Sequence, residues 1–454
     1  MIPFLELSKR LARRGHAVTF VSTPRNAARL APVPPELSPR VRVVTLRLPV
    51  VEGLPDGAES TADVPPENVE LLKTAFDGLD APFAALVGEK KPDWIVLDFA
   101  QHWAFPIAEE HKIACAMFLI LPAALLAYVG TKGENDAHPR RTTEEYMAQP
   151  PWIPSATTTL LTYRRHEAEA VAAAFRPNAS GVSDIDRLFH LHHPSCRLVI
   201  HRSCPDAEPH LFPLLTNLFS KPVVPSGLLL PGDVLDVEDA GDQSSAFMEA
   251  ARWLDEQPAR SVIYVALGSE APVTAHHIRE LAHGIELSGV RFLWALRAPA
   301  SVLAAGHKDA GDLLPDGFER RVAGRGVVCT GWVPQVRVLG HVAVGAFLTH
   351  CGWGSTVEGV FGFGHPLVML PFVADQGLIA RAMAARGVGV EVVRDDADGS
   401  FRGEDVAAAV RRVMVEEEGE ELARNARELR EVVGDRVRQE EYVDELIELF
   451  QRYK

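Results

Sequence analysis

The residues best placed to do chemistry lie in the stretch 332–376, where polar side chains follow two short apolar runs. The first run, 344–349 (VGAFLT), is rich in branched and aromatic residues and predicts a buried strand. Glycines suited to a tight turn follow it, and a helix is predicted to begin at Ser355. Backbone N–H groups and the dipole at such a helix start attract phosphate. A second unit, with a strand at 367–370 and a helix at 377–386, repeats the plan, so the stretch predicts a site for a phosphorylated ligand.

Each polar residue in this stretch also has an ordinary structural interpretation. Ser355 and Glu358 have the S-x-x-E spacing of a capping box, which would satisfy a helix start with no ligand. His350 would then be a strand-end histidine bonded to the backbone, and Trp332 and Trp353 would be core residues. Taken one at a time, these positions leave both interpretations open.

The spacing of the whole set resembles the donor-binding signature of plant UDP-sugar-dependent glycosyltransferases. The sequence matches W-x-P-Q from Trp332, H-x-x-x-G-x-F-x-T-H-C-G-W from His341, S-x-x-E from Ser355, then G-x-P and a closing D-Q. So many fixed positions are a far more specific signal than a lone glycine-rich loop. A predicted strand at 261–269 ends in Leu-Gly-Ser, and the resemblance places Ser269 against the diphosphate.

For the nucleoside, the resemblance implies four contacts. Trp332 would stack on uracil, with Val333 beside it, and Gln335 would hold the ribose. Glu358 would accept from both ribose hydroxyls, which suits a carboxylate because it has two acceptor oxygens.

For the diphosphate and the sugar, the resemblance implies five more contacts. His350 and Ser355 would bind the diphosphate, while Trp353, Asp375 and Gln376 would line the sugar. A closing Gln in this family usually goes with UDP-glucose, so UDP-glucose is the expected donor. No metal or other cofactor is expected.

Two departures from the family pattern predict a weakened donor site. Gly354 stands where the family has Asn, which removes one side-chain contact to phosphate or sugar. The stretch is also one residue longer than usual, and the extra residue falls within 359–364 (GVFGFG).

A second candidate is Asp98, at the tip of a predicted strand 92–98, where open α/β sheets place ligands. The resemblance makes it the partner that orients a catalytic His and stabilises its charged form, as in hydrolase His–Asp pairs. That His would fall immediately before Met1, so we expect the chain to begin after the family's first strand and its base, and we expect a poorly stable N-terminal half. Alternatively, Asp98 only caps a helix predicted at 100–111.

The chain in order alternates helices and strands, which predicts an α/β protein. The resemblance implies a GT-B fold, in which two Rossmann-like domains face each other across a cleft. We expect an acceptor-binding domain at 1–230, an acidic linker at 231–245, a UDP-sugar-binding domain at 246–435 and a helix at 436–454 that returns to the first domain. A single helix is predicted at 69–87. Residues 130–159 are predicted to be one long loop beside the acceptor.

Composition excludes several classes of function. The 454 residues carry a net charge of −15 and no long basic run, which argues against nucleic acid and anionic membrane as partners. Five scattered cysteines give neither a disulfide framework nor the spacing of a metal site. No apolar run is long enough to span a bilayer. The sequence therefore predicts a cytoplasmic, monomeric protein with reduced thiols.

The expected reaction is transfer of glucose from UDP-glucose to an acceptor hydroxyl, with inversion at the anomeric carbon. Short runs at 22–26, 53–60 and 266–270 resemble the plant branch that adds sugar to a sugar of flavonoid or terpenoid glycosides, including cereal enzymes that extend steviol glycosides. Two alternatives stay open. The chain would bind UDP-sugar with little turnover, because the base is missing, or it would act on a sterol or hormone.

Overall fold

The computed structural model describes residues 1–154, 161–230, 245–268, 271–297 and 310–454. Ser269 and residues 231–244 of the expected linker lie outside this set. All strand pairs are parallel. The strands are β1 Val18–Ser22, β2 Val41–Thr45, β3 Trp94–Leu97, β4 Ala114–Leu119, β5 Cys196–His201, β6 Val223–Pro225, β7 Val262–Ala266, β8 Arg291–Leu296, β9 Gly326–Thr330, β10 Val344–Thr349, β11 Leu367–Met369 and β12 Gly389–Glu391.

Helices fill the connections between the strands, as parallel pairing requires. Those of the N-terminal half are Ile2–Arg13, Pro24–Ala28, Val69–Asp77, Asp80–Lys90, Ala104–Glu110, Ala123–Val129, Lys132–Ala137, Thr143–Met147, Arg165–Ala174, Asp184–Phe189 and Leu211–Phe219. Those of the C-terminal half are Ser245–Asp255, Ala275–Ser288, Phe318–Arg321, Gln335–Leu339, Trp353–Thr356, Gln376–Ala385, Gly403–Met414, Glu417–Val433 and Arg436–Arg452.

The C-terminal half is built on one six-stranded sheet in the order β12-β11-β10-β7-β8-β9. Its first strand in the chain, β7, lies in the middle, and the strand order reverses between β7 and β10. This is the doubly wound arrangement of a Rossmann-like domain, and its ligand crevice lies at the carboxyl ends of the two strands that flank the reversal.

The N-terminal half is divided into a four-stranded sheet, β3-β4-β5-β6, and a separate pair, β1-β2. The N-terminal helix connects them by packing. Phe4 makes an edge-on contact with Phe118 of β4 at 4.8 Å between centroids, while Ala12 is buried against Leu37 and Val41. The two sheets are therefore held together by side chains, not by backbone hydrogen bonds.

The C-terminal helix Arg436–Arg452 packs back on the N-terminal sheet. Its Val443 and Leu446 are buried in one cluster with Leu7 and strands β4 and β5, and Trp94 donates its indole N–H to the Phe450 carbonyl at 3.0 Å. In the part of the chain that the structure describes, no helix is both long enough and apolar enough to cross a membrane.

Two secondary-structure predictions were wrong. The segment 69–87 forms two helices because the chain breaks at Gly78, a poor helix former. The segment 130–159 contains two short helices that we expected to be loop. Thr131 and Thr142 each accept the N–H of a glutamate three residues later, so two capping signals in this polar segment were overlooked.

We expect the amides of β1 and β2 to exchange with solvent at least ~10-fold faster than those of β7 and β10. A two-stranded pair without further strands is only marginally stable, so it should open locally at a lower free energy than the six-stranded sheet. Hydrogen exchange read by mass spectrometry tests this, with β4 and β5 as the reference within the same half. Equal protection of both sheets would contradict the expectation.

Candidate active site

His350 follows β10 directly and lies where the strand order of the C-terminal sheet reverses. Its ring lies against Gly268, which follows β7 and has a φ of +74°. A Cβ at Gly268 would lie 2.8 Å from the His350 Cε1, and a Cβ at Gly352 would lie 2.5 Å from its Nε2. Only glycines leave room for the imidazole here, so these loop glycines set the position of the ring as well as the turn.

Burial shifts the protonation equilibrium of His350 from that of an ordinary exposed histidine. It lowers the pKa of the imidazole to about 4, so the ring is neutral at pH 7. Its Nδ1 is buried and has no hydrogen-bond partner among the described residues. The ordinary interpretation, in which His350 is satisfied by backbone, therefore leaves one ring nitrogen unexplained. A neutral ring can donate one N–H to a ligand but cannot offset its charge.

The helix after β10 begins at Trp353, with Gly352 as its N-cap, two residues before the predicted start. Ser355 therefore lies within the first turn, and it does not form a capping box with Glu358. The capping interpretation is wrong for a second reason as well, because the Glu358 carboxylate bonds to another side chain.

Glu358, Gln335 and Ser355 are brought together by the structure. The Gln335 Nε2 donates to the Glu358 Oε2 at 2.8 Å and to the Ser355 Oγ at 3.4 Å. Burial raises the pKa of Glu358, while the Gln335 hydrogen bond and the Arg202 charge oppose that rise. This leaves a half-buried carboxylate that is held in place by one amide and has acceptor capacity to spare.

The extra residue of this stretch is accommodated as a π-helix at Val357–Gly362. The Phe363 N–H reaches the Glu358 carbonyl, five residues back, at 3.1 Å. A π-turn absorbs one additional residue within a helix, so the insertion bulges after Glu358 and leaves the Gln335–Glu358 pair intact. The insertion is therefore not a reason to expect a damaged ribose site.

The two tryptophans have opposite environments. Trp332 is 50% exposed, as a stacking platform requires, whereas Trp353 is 4% exposed and packs edge-on against Phe361. The Trp353 indole N–H donates to the Arg202 carbonyl at 2.7 Å. The core interpretation therefore holds for the Trp353 ring. Val333 is buried beside Trp332, which leaves its backbone as the part that could meet a ligand.

Asp375 and Gln376 follow β11 and are both buried. The Gln376 Oε1 accepts the N–H groups of Phe372 and Val373 at 2.8 and 3.1 Å, so its amide nitrogen is the part left for a ligand. Burial raises the pKa of Asp375 to about 7, and the nearby carboxylate of Glu208 adds to the rise. The Asp375 carboxyl group therefore titrates near neutral pH. Its charged form would be stabilised by a ligand group that donates a hydrogen bond to it.

Asp98 lies at the end of β3, where it was predicted. Burial raises the pKa of its carboxyl to about 6, opposed by the Phe99 N–H at 2.7 Å and by the amino terminus of Met1. The helix that follows begins at Ala104 with Trp103 as its N-cap, so the capping interpretation is wrong. The structure therefore places Asp98 near the amino end of the chain, and shows no contact between it and the Glu358 group.

Sequence reasoning missed two buried charged residues of the N-terminal half. Arg202 follows β5, and Glu208 accepts the N–H groups of Ala123 and Ala124 at 2.8 and 2.9 Å. Each acts electrostatically on a residue predicted to bind the donor, Arg202 on Glu358 and Glu208 on Asp375. Neither belongs to a local motif, so long-range packing alone reveals them.

Comparisons with known proteins agree with this geometry. Residues 228–436 match the family model described as UDP-glucoronosyl and UDP-glucosyl transferase. The chain is 40% identical to UDP-glycosyltransferase 91C1 of Arabidopsis thaliana, over 98% of this chain and 93% of the relative. It is 39% identical to UDP-glycosyltransferase 91D1 of Stevia rebaudiana, over 100% and 90%. It is 33% identical to the beta-D-glucosyl crocetin beta-1,6-glucosyltransferase of Gardenia jasminoides, over 98% and 95%.

Solved structures share the fold. Phytolacca americana UGT2, complexed with UDP-2-fluoro-glucose and pterostilbene, superposes with a TM-score of 0.76 at 23% identity, covering 100% of this chain and 96% of that chain. Os79 of O. sativa, in complex with UDP, gives 0.75 at 24% identity, with 100% and 98% covered. The GT-B prediction is thereby confirmed.

Proposed function

This chain belongs to the plant UDP-dependent glycosyltransferases of family 1, and from that membership we propose that it transfers glucose from UDP-glucose to a hydroxyl on the sugar of a small-molecule glycoside. The anomeric carbon is inverted, and the acceptor is a flavonoid or terpenoid glycoside of the steviol type. The protein acts as a hexosyltransferase, as a monomer in the cytoplasm, without a metal or other cofactor.

The observation that carries the donor assignment is the Gln335–Glu358 pair beside the exposed Trp332. An aromatic face suits uracil, and a held carboxylate suits two ribose hydroxyls. His350 and the first turn at Ser355 lie at the crevice of the sheet, where a diphosphate would sit. Gln376, whose amide nitrogen donates no hydrogen bond to the described residues, supports glucose as the sugar.

The chemistry needs one base and a site that stabilises the leaving UDP. As the acceptor oxygen attacks C1 from the face opposite UDP, its proton passes to a base, the C1–O bond to the diphosphate breaks, and UDP leaves with the electron pair. In our proposal Asp98 is the carboxylate that orients the base, the base itself being the histidine that the family resemblance places before Met1. Hydrogen-bond donors at the crevice stabilise the charge that develops on the diphosphate.

The acceptor assignment is supported by the relatives. One, UDP-glycosyltransferase 91D1, comes from Stevia rebaudiana, and another is named as a glucosyltransferase of beta-D-glucosyl crocetin, an acceptor that already carries a sugar.

The decisive experiment is product detection by mass spectrometry with UDP-glucose, in excess EDTA, against flavonoid glycosides, steviol glycosides and sterols. We expect one added hexose on a glycoside, unchanged by EDTA, with a β-linkage in the NMR spectrum. Addition to a sterol but to no glycoside would overturn the acceptor assignment. Loss of product in EDTA would overturn the metal-free mechanism.

A second function is favoured by one observation: none of the described histidines contacts Asp98. The chain would then bind UDP-sugar with little turnover. Calorimetric UDP binding without any product would support this alternative. If product does form, Asp98→Asn should lower kcat on the order of 10³-fold with little change in UDP affinity, as expected for loss of a carboxylate that orients a base.

A further inference from the structure

Arg202 is a buried cation, and among the described residues the only hydrogen bond of its side chain comes from Nε, not from the two terminal amino groups. Its side chain is only 6% exposed, and its Nε donates to the Leu228 carbonyl at 2.8 Å. Among the described residues, nothing accepts a hydrogen bond from its two terminal amino groups. A buried guanidinium is costly unless its donors are satisfied, so an acceptor is expected at this place.

The surroundings of Arg202 place that acceptor in the donor site. Its backbone carbonyl accepts the Trp353 indole N–H at 2.7 Å, which fixes it against the helix after β10. A Cβ at Gly354 would lie 3.7 Å from the Arg202 Nη1. Its charge also acts on Glu358. The guanidinium of Arg202 therefore lies beside Gly354, within the stretch proposed to bind the donor, and acts on the proposed ribose ligand Glu358.

Two side chains that the family resemblance assigns to the diphosphate carry no positive charge at pH 7. His350 is neutral at pH 7, and Ser355 supplies only a hydroxyl. The proposed donor carries a diphosphate, and a guanidinium forms paired, charge-assisted hydrogen bonds to phosphate oxygens. Arg202 would therefore supply a positive charge for the diphosphate that His350 and Ser355 do not.

We propose that Arg202 is a donor-binding residue that contacts the diphosphate, and that the lack of a side chain at Gly354 leaves room for its guanidinium. This inference rests on the proposed UDP-sugar site and adds to it a contact from the N-terminal half. An Asn side chain at 354 would extend beyond the Cβ position into the Arg202 guanidinium, whereas Ala would stop at ordinary contact distance. The departure from the family pattern at 354 is then an exchange of one phosphate contact for another.

Calorimetry with UDP and with uridine tests the assignment, because only UDP carries phosphate. We expect Arg202→Gln to weaken UDP binding about 10–100-fold, the range of hydrogen bonds to charged groups, and to leave uridine within about 2-fold. Arg202→Lys should lie in between, since it keeps the charge without the paired geometry. Arg325→Gln, which removes a partly buried arginine bonded to the carbonyls of Val290 and Glu286, is the matched control and should change neither.

Variants at position 354 test whether the Arg202 guanidinium needs the room that a glycine leaves there. Gly354→Ala should bind UDP like the wild type, and Gly354→Asn should bind it more weakly because the amide competes with the guanidinium. Combining Gly354→Asn with Arg202→Ser should restore part of the affinity that Arg202→Ser alone loses. Circular dichroism and unfolding temperature of each unliganded variant show whether it folds.

The outcomes separate this inference from the proposed function. If Arg202→Gln binds UDP as tightly as the wild type, or loses UDP and uridine alike, the assignment of Arg202 is overturned while the enzyme assignment stands. If the wild type binds UDP and Arg202→Gln weakens that binding as expected, but no product forms, then the proposed transfer activity is overturned and the assignment of Arg202 is supported. If the wild type binds no UDP, both fail.

Discussion

Replacing Glu358 with Ala is expected to lower kcat/KM for UDP-glucose by about 10²–10⁴-fold, since two hydrogen bonds to a charged acceptor are each worth roughly 1.5–3 kcal/mol. The carboxylate is half-buried and held by the Gln335 Nε2 at 2.8 Å. Removing it also leaves that amide without its partner. Steady-state kinetics with varied UDP-glucose measures the effect, and the exposed Glu428→Gln serves as the control.

The ribose assignment has a sharper test in an altered ligand. A UDP analogue without the 2′ and 3′ hydroxyls lacks the groups that Glu358 would accept from. We therefore expect Glu358→Ala to weaken UDP strongly and the dideoxy analogue hardly at all. An equal loss for both ligands would instead show that Glu358 acts by holding Gln335 in place.

The strands that support the site could be predicted because each is a short apolar run bounded by glycine or polar residues. Strand β10 has the predicted bounds, Val344–Thr349. The start of the following helix was misplaced because its N-cap is Gly352, which has no side chain to act as a signal. Local sequence also shows that one residue is extra near 359–364, but not that a π-helix absorbs it, because only the backbone hydrogen bonds reveal that.

What the sequence cannot provide is the environment of each group. His350 was expected to bind the diphosphate, but the sequence does not show that burial between Gly268 and Gly352 makes its imidazole neutral. Arg202 lies 151 positions from Trp353 in the chain. Its nearness to Gly354 depends on how the two halves pack, so no motif of either half contains it.

Asp375→Asn should change stability and transfer in opposite directions. The folded pKa of Asp375 is about 7, raised first by burial and then by Glu208, whereas the ordinary pKa of an aspartate is 3.8. The folded state therefore keeps a proton that the unfolded state has released, so the contribution of this group to stability is full below about pH 4 and is lost as the pH rises through 7. Above pH 7 the wild type holds a buried charge that a backbone hydrogen bond only partly offsets.

Removing the charge should therefore stabilise the variant at pH 8 by on the order of 2–4 kcal/mol, since one pKa unit corresponds to about 1.4 kcal/mol, and raise its Tm by about 5 °C or more. The gain should shrink towards zero at pH 4. Thermal unfolding of Asp375→Asn and the wild type from pH 4 to 8 measures the difference, with the exposed Asp396→Asn as the control. A gain that does not depend on pH would show that burial of the charge is not its cause.

The same variant should lose transfer because the buried carboxylate is proposed to accept hydroxyls of the donor sugar. We expect kcat/KM for UDP-glucose to fall about 10–100-fold, while UDP, which lacks the sugar, binds as before. A charge that destabilises the unliganded protein is then retained because a sugar hydroxyl satisfies it, which is the usual relation between stability and activity at a binding site. Unchanged transfer together with raised stability would remove Asp375 from the sugar site.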